Sequence, residues 1–309
     1  MPKKIISYGE TLWDLFNNGP RLGGAPCNLA MRIHMLGERG WLVTRLGADE
    51  LGEQALASLR KAGLQSSFIQ IDPFYATGTV DVKLNLNGVP DFTINPNAAY
   101  DHITAREDVK VAASTANCIC FGTLAQRSDV SKESLYALLN SVSKTLKFLD
   151  LNLREGCYTH STVKRSLEYA DILKLNEDEA RYLLEEFEIE ANDMTDAVSS
   201  IAEIYDLTVV IITLGGSGVL VGNDKGEHVY EPGFIVEVVD TTGSGDAFSA
   251  GFITRYLNGA TFAEAAHYGN ALGALVATTL GGTEPVSPED IEAFIASYPE
   301  RSIDPTYAH

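Results

Sequence analysis

Short β-prone runs alternate with stretches of helical periodicity along most of this chain, and that alternation narrows the fold sharply. Lys4 to Tyr8 reads as a strand, and Asn28 to Leu36 as a helix carrying Leu29, Ile33 and Leu36 on one face. Trp41 to Leu46 reads as a strand and Leu51 to Ala62 as a helix closed by Gly63. Further strands are expected at Lys147 to Leu153, Ile172 to Leu175 and Thr208 to Leu214, with helices near Thr195 to Tyr205 and from Ala247 onward. Each crossover between parallel strands lays a helix on the sheet, so the pattern implies an α/β fold with a mostly parallel sheet covered on both faces. One segment departs from the rhythm. "TGTVDVKLNLNGVPDFTI", Thr77 to Ile94, alternates apolar and polar residues on both sides of Asn87-Gly88, a hairpin signal with one solvated face. It is expected as a small antiparallel flap joined by Trp13 to Leu22.

Composition limits the function classes. A chain of 309 residues with 45% hydrophobic content can bury a large core. Its formal charge of -19 argues against a nucleic-acid partner, since a phosphate backbone would be repelled, and means that an anionic substrate needs a local positive site. No apolar run approaches the roughly 20 residues of a membrane helix, and the stretch after Met1-Pro2-Lys3-Lys4 is too short for a signal peptide. A cytoplasmic protein with no membrane partner is therefore expected. Cys27, Cys118, Cys120 and Cys157 contain no C-x-x-C pair, and the alternation of Cys118 and Cys120 in an apolar run reads as buried thiols.

In a parallel sheet, ligands gather beyond the carboxyl ends of the strands, so polar residues there carry the functional signal. After the first strand comes "GETLWDLFNNGPRLGGAPCNLA", 9 to 30, with Glu10, Asp14, Gly23, Gly24 and Asn28. The carboxylate of Asp14 and the amide of Asn28 suit a polyol, although a turn plus a helix cap would use the same residues. In "DLNLRE", 150 to 155, Asp150, Asn152 and Arg154 are expected on one strand face. In "LKLNEDEA", Asn176 and Glu179 form a capping box, and the same pair could hold magnesium through water. "TLGGSG", 213 to 218, offers glycines that let backbone approach a phosphate, but no G-x-x-x-x-G-K-[ST] is present.

The most informative stretch is "DTTGSGDAFSAGF", 240 to 252. Gly243, Ser244 and Gly245 can turn several N–H groups toward one point, and the helix that follows adds its positive end, forming an anion hole. An aspartate there would repel the anion. Asp246 makes sense as the base that takes a proton from a hydroxyl attacking a phosphoryl group held in the hole.

These motifs together resemble the PfkB, or ribokinase-like, carbohydrate kinases. Residues 240 to 252 resemble that family's C-terminal signature, and the Gly23-Gly24 and Asn28 region its N-terminal one; "GADELGEQALASLRKAGL", "NEDE" and "TLGGSG" follow in the family's order. The resemblance implies one three-layer kinase domain over 1–309, with a hairpin lid formed by about 13–22 and 75–101. It implies Asp246 as base and Gly243, Ser244, Gly245 and Asp246 as the anion hole, with Asp14, Gly23, Gly24, Asn28 and Arg154 on the sugar. Thr213, Gly215, Gly218 and Asn270 would bind ATP with Asn176, while Glu179 would hold Mg²⁺ through water. Asp240 and Thr242 would give backbone ligands to a potassium-type ion, K⁺, completed near Gly281 and Gly282. A homodimer through the lid is a further implication. Within the family, "GETLWD", "RLGGAPCNLA", "TGTVDVKL", "AAYDHI", "FGTLAQR" and "DLNLRE" resemble bacterial fructokinases, while 2-keto-3-deoxygluconate kinases share the D-x-N-x-R strand. A nucleoside kinase and a non-catalytic sugar sensor stay open as alternatives.

Overall fold

A computed structural model describes residues 1–16, 19–84, 90–282, 284–297 and 300–308. The strands are β1 (Lys4–Tyr8), β2 (Leu12–Phe16), β3 (Gly19–Gly23), β4 (Arg39–Gly47), β5 (Ile69–Asp72), β6 (Gly78–Leu84), β7 (Pro90–Ile94), β8 (Cys118–Phe121), β9 (Leu146–Asp150), β10 (Ile172–Asn176), β11 (Val209–Thr213), β12 (Gly218–Gly222), β13 (His228–Phe234) and β14 (Arg301–Ser302). The helices are α1 (Ala25–Met35), α2 (Glu50–Lys61), α3 (Glu107–Ala113), α4 (Asp129–Asn140), α5 (His160–Tyr169), α6 (Glu177–Glu186), α7 (Met194–Tyr205), α8 (Ser244–Leu257), α9 (Phe262–Ala277) and α10 (Pro288–Ser297).

The main sheet runs β14-β13-β12-β11-β10-β9-β8-β1-β4-β5, parallel from β11 to β5 and antiparallel from β12 outward. Successive strand residues point to opposite faces, and both faces are dry. Ile5, Cys118, Cys120, Phe148, Ile172 and Ile211 pack under α1, α8 and α9. Their neighbours Ile6, Ile119, Leu149, Leu173 and Ile212 pack under α4, α5, α6 and α7. This is the expected α/β sandwich, and Cys118 and Cys120 are buried free thiols within it. The chain first builds outward from β1 to β4 and β5, then returns to β8 on the other side of β1. The crevice at the carboxyl ends of β1 and β8 is therefore the switch point where such sheets bind ligands.

A second sheet, β3-β2-β6-β7, stands beside the first. Its two hairpins are antiparallel, but β2 pairs β6 in parallel, so the expected antiparallel flap is a mixed sheet. β2 follows β1 and β6 follows β5, so each enters the second sheet from a parallel strand of the main sheet. The Asn87-Gly88 turn lies outside the described residues. Trp13 of β2 is buried and donates its indole N–H to Leu51 O at 3.0 Å, anchoring this sheet to α2.

Among the boundaries that differ from expectation, α8 starts at Ser244 rather than Ala247, and two others have a local cause. α1 starts at Ala25 rather than Asn28, because Pro26 sits in its first turn, where a missing N–H costs nothing. β9 ends at Asp150 instead of Leu153, and Asn152 adopts the left-handed φ of 43°. Asp150, Asn152 and Arg154 thus do not share a strand face; only Asp150 belongs to the strand, and the other two lie on the loop leaving it. No helix among the described residues is long and apolar enough to cross a membrane.

Candidate active site

Helix α8 opens the site. Its N-cap, Gly243, has a φ of 75°, and a Cβ there would lie 2.5 Å from Gly282 Cα, so only glycine lets the two loops touch. Ser244 N is bonded to Thr241 O at 3.1 Å and Ala247 N to Gly243 O at 2.9 Å. Between them, the amides of Gly245 and Asp246 have no intramolecular acceptor among the described residues, which leaves two donors and the positive helix end for an anion.

Asp246 sits half-buried at the second of these amides. Its Oδ2 accepts from Asn28 Nδ2 at 2.8 Å, linking α8 to α1. Burial pushes its carboxyl up to about 6, and Asp150 adds to the rise; Asn28, Lys174 and Arg154 oppose it. Near neutral pH the group is thus largely ionised and can accept a proton. Asn28 itself is held against the Gly282 loop, which buried Arg32 pins by donating to Gly282 O at 2.8 Å and to Glu284 O.

Asp14 and Gly23 face each other across the β2–β3 hairpin: a Cβ on Gly23 would meet Asp14 Oδ2 at 2.7 Å. Burial raises the Asp14 carboxyl to about 6, while Arg154 and Arg21 pull it down. Gly24 caps α1 with a φ of 102°, and a Cβ there would strike Glu10 O at 2.6 Å. The guanidinium of Arg154 acts electrostatically on Glu10, Asp14 and Asp246 together, the local positive charge that so acidic a chain needs near an anion. Asp240 accepts from Thr242 N at 2.9 Å and Gly281 N at 3.1 Å and pairs with Arg21 at 3.3 Å, tying the second sheet to the loop before α8.

The remaining expected residues form an adjoining rim. Asn176 caps α6, with its Oδ1 accepting from Glu179 N at 2.8 Å, and the Glu179 carboxylate accepts from Asn176 N at 2.9 Å and Leu153 N at 2.8 Å. The capping box is real, and Glu179 also fastens the loop after β9. Thr213 ends β11, Gly215 has a φ of 57°, and a Cβ on Gly218 would fall 2.1 Å from Glu231 O. Asn270 gives its amide donors to Glu231 O and Pro232 O at 3.0 and 3.1 Å, joining α9 to β13.

Sequence reading missed Lys174. Its Nζ lies 3.1 Å from Asp150 Oδ1 and 3.3 Å from where a Gly245 Cβ would stand, directly beneath the α8 terminus. Asp150 Oδ2 accepts from Ser249 Oγ at 3.0 Å. The available signal was a lysine inside the apolar strand "ILKLN", where a parallel sheet has no solvent for it. Arg32 was missed for the same reason, being hidden in the helical run of α1.

A proton acceptor on the first turn of an anion-binding helix, at the switch point of an α/β sheet and beside a second small sheet, defines a phosphoryl-transfer enzyme of the sugar-kinase class. The profile described as pfkB family carbohydrate kinase matches residues 3–290, and the chain belongs to that family. The fructokinase of Escherichia coli is 27% identical over 266 residues, covering 82% of this chain and 84% of the relative. The structure of a fructokinase from Xylella fastidiosa with bound ATP superposes with a TM-score of 0.84 at 21% identity, covering 96% of this chain and 99% of that one. A fructokinase from Vibrio cholerae, in fructose, ADP and calcium ion bound form, gives 0.79 at 25% identity over 95% and 99%.

Proposed function

We propose that this carbohydrate kinase phosphorylates fructose at the 6-hydroxyl with ATP. The observation that carries the transfer is Asp246 beside the free amides of Gly245 and Asp246: a base and an anion site share one helix turn. The hydroxyl gives its proton to Asp246 as its oxygen bonds to phosphorus, and the Gly243 to Asp246 turn receives the phosphoryl charge. The fit of ATP rests on this turn and on the rim of Asn176, Thr213, Gly215, Gly218 and Asn270. When bound, Mg²⁺ neutralises phosphate charge, and Glu179 would hold it through water, since both carboxylate oxygens already accept backbone N–H groups. The carbonyls of Asp240 and Thr242 would hold K⁺, a reading supported by the way the Asp240 side chain draws the two loops together.

Fructose is the favoured sugar because curated relatives so named align across most of the chain. Asp14, Gly23, Gly24, Asn28 and Arg154 would line its pocket, and the β3-β2-β6-β7 sheet would close over it as a lid that excludes water. β3 and β7 are the outermost strands of this sheet among the described residues, which supports a homodimer through the lid. A coupled ADP-release assay with Mg-ATP against fructose, 2-keto-3-deoxygluconate, ribose and adenosine tests the assignment. Preferred turnover of fructose is expected; preference for another acceptor overturns the sugar, and absence of ADP with all of them overturns the activity.

Asp14→Ala is expected to raise the fructose KM about tenfold or more, since a pocket hydroxyl left unpaired costs about 1–3 kcal/mol. Because the loss is in binding, kcat should hold within a few-fold. Isothermal calorimetry with fructose checks it, and unaltered affinity would remove Asp14 from the pocket.

A further inference from the structure

Below Asp246 the switch-point crevice narrows to a pocket with about 20 Å³ of room for water. A single water needs roughly 10–15 Å³, so the space has room for one molecule. Ser7 of β1, Glu10, Asp150 and Asp246 are among its lining residues. Ser7 is fully buried, and its Oγ has no hydrogen-bond partner among the described residues. A buried hydroxyl left so costs about 1–3 kcal/mol, and a water in the cavity would satisfy it. Glu10 is 4% exposed; its Oε1 accepts from Ala25 N at 3.2 Å, and among the described residues its carboxylate makes no salt bridge.

Resting on Asp246 as the base, we infer that Glu10 is the acceptor behind it, receiving the hydroxyl proton through one water held on Ser7. The sugar O–H bond breaks, its electron pair forms the bond to phosphorus, and the proton goes to Asp246. Asp246 then protonates the water, the water gives a proton to Glu10, and both Asp246 and the water are restored. Glu10 releases the proton to solvent after the products leave. Its proton affinity matches that role, because burial holds the carboxyl up at about 7, above the value of about 6 at Asp246. The groups facing Glu10 are Asp246 on α8, Arg154 after β9, Cys27 on α1 and Tyr100 in the turn Ala99–His102. Asp150 borders the same cavity, with its charge met by Lys174.

Glu10→Gln tests this, since the amide oxygen still accepts from Ala25 N while the titrating proton is gone. With Mg-ATP and the best sugar of the panel, kcat is expected to fall roughly tenfold, less than the 10²–10⁴ of a direct base. Sugar affinity should stay within about twofold, a range of less than 1 kcal/mol. The partial fall of kcat near pH 7, where Glu10 takes up its own proton and the relay stops, should be missing from the variant, leaving the Asp246 limb at about 6. The dependence of kcat on deuterium fraction should also straighten as fewer protons move together. Wild-type kcat and pH profile in this variant, or a rise in KM alone, overturns the proposal and leaves Glu10 as an anchor for the Gly24 turn. Should Glu10→Gln not fold, Ser7→Ala removes the water's ligand; a lower kcat with the same straightening supports the relay, and no change overturns it. The Asp246→Asn variant separates the two readings: retained turnover there sinks the base itself, whereas lost turnover with a silent Glu10→Gln sinks only the relay.

Discussion

Asp246→Asn is expected to lower kcat by about 10²- to 10⁴-fold, the usual contribution of a positioned general base, while fructose and ATP still bind. Asparagine keeps the shape, and its carbonyl oxygen can accept from Asn28 Nδ2 as Oδ2 does at 2.8 Å. The free amides of Gly245 and Asp246 belong to the backbone and survive the change. What disappears is the proton acceptor. The wild-type pH profile carries the same signature. Burial and then Asp150 raise the Asp246 carboxyl to about 6, so the competent, ionised form is lost as pH falls through that value. Wild-type kcat should decline on the acid side of about pH 6, and the residual rate of the variant should lack that limb. Steady-state ADP release across this range, with sugar affinity measured in parallel, checks both parts. A variant within a few-fold of wild type would mean that the hydroxyl loses its proton elsewhere.

The parts of the site legible in the sequence are those encoded by backbone requirements. The Gly243-Ser244-Gly245 turn could be read because close loop contact and a free helix end need residues without bulk, and Gly243 does meet Gly282 in that way. Asn176 and Glu179 could be read because a capping box is local. Long-range placement was not legible. Lys174 and Arg32 sit within apolar-looking elements, and only the packing of α8 and the Gly282 loop shows why each is there. Asp150, Asn152 and Arg154 alternate as a strand would, yet the β9–β10 pairing ends at Asp150 and Asn152 takes a left-handed φ, so the chain turns into the loop that brings Arg154 near three carboxylates. The parallel β2–β6 pairing also depends on partners far apart in sequence.

Lys174→Met is expected to lower folding stability by about 3–5 kcal/mol, the cost of leaving one member of a buried ion pair without its partner. The side chains of Lys174 and Asp150 are only 10% and 13% exposed, so solvent screens them little. Burial alone would depress the ammonium, but Asp150, Glu179 and the hydrogen bond to Asp150 outweigh it and hold its pKa above the ordinary lysine value. Methionine fills similar volume, so the loss is of charge rather than packing. Asp150 would remain charged against Ser249 alone. The sign follows from the carboxylates that lose the cation: the deficit is absent at acid pH, where they are protonated whether the chain is folded or not, and opens as pH rises through the carboxylate range. Glu179 and Asp246 lose a favourable neighbour too, and their contributions have the same sign. Adding Asp150→Asn removes the stranded charge while keeping an acceptor for Ser249, so the double variant should recover more than half of the loss at neutral pH. Urea unfolding of the three proteins at neutral and acid pH measures this. A double variant no more stable than Lys174→Met, or a deficit that ignores pH, would show that Lys174 supports the α8 terminus through its methylene stem and not through its charge.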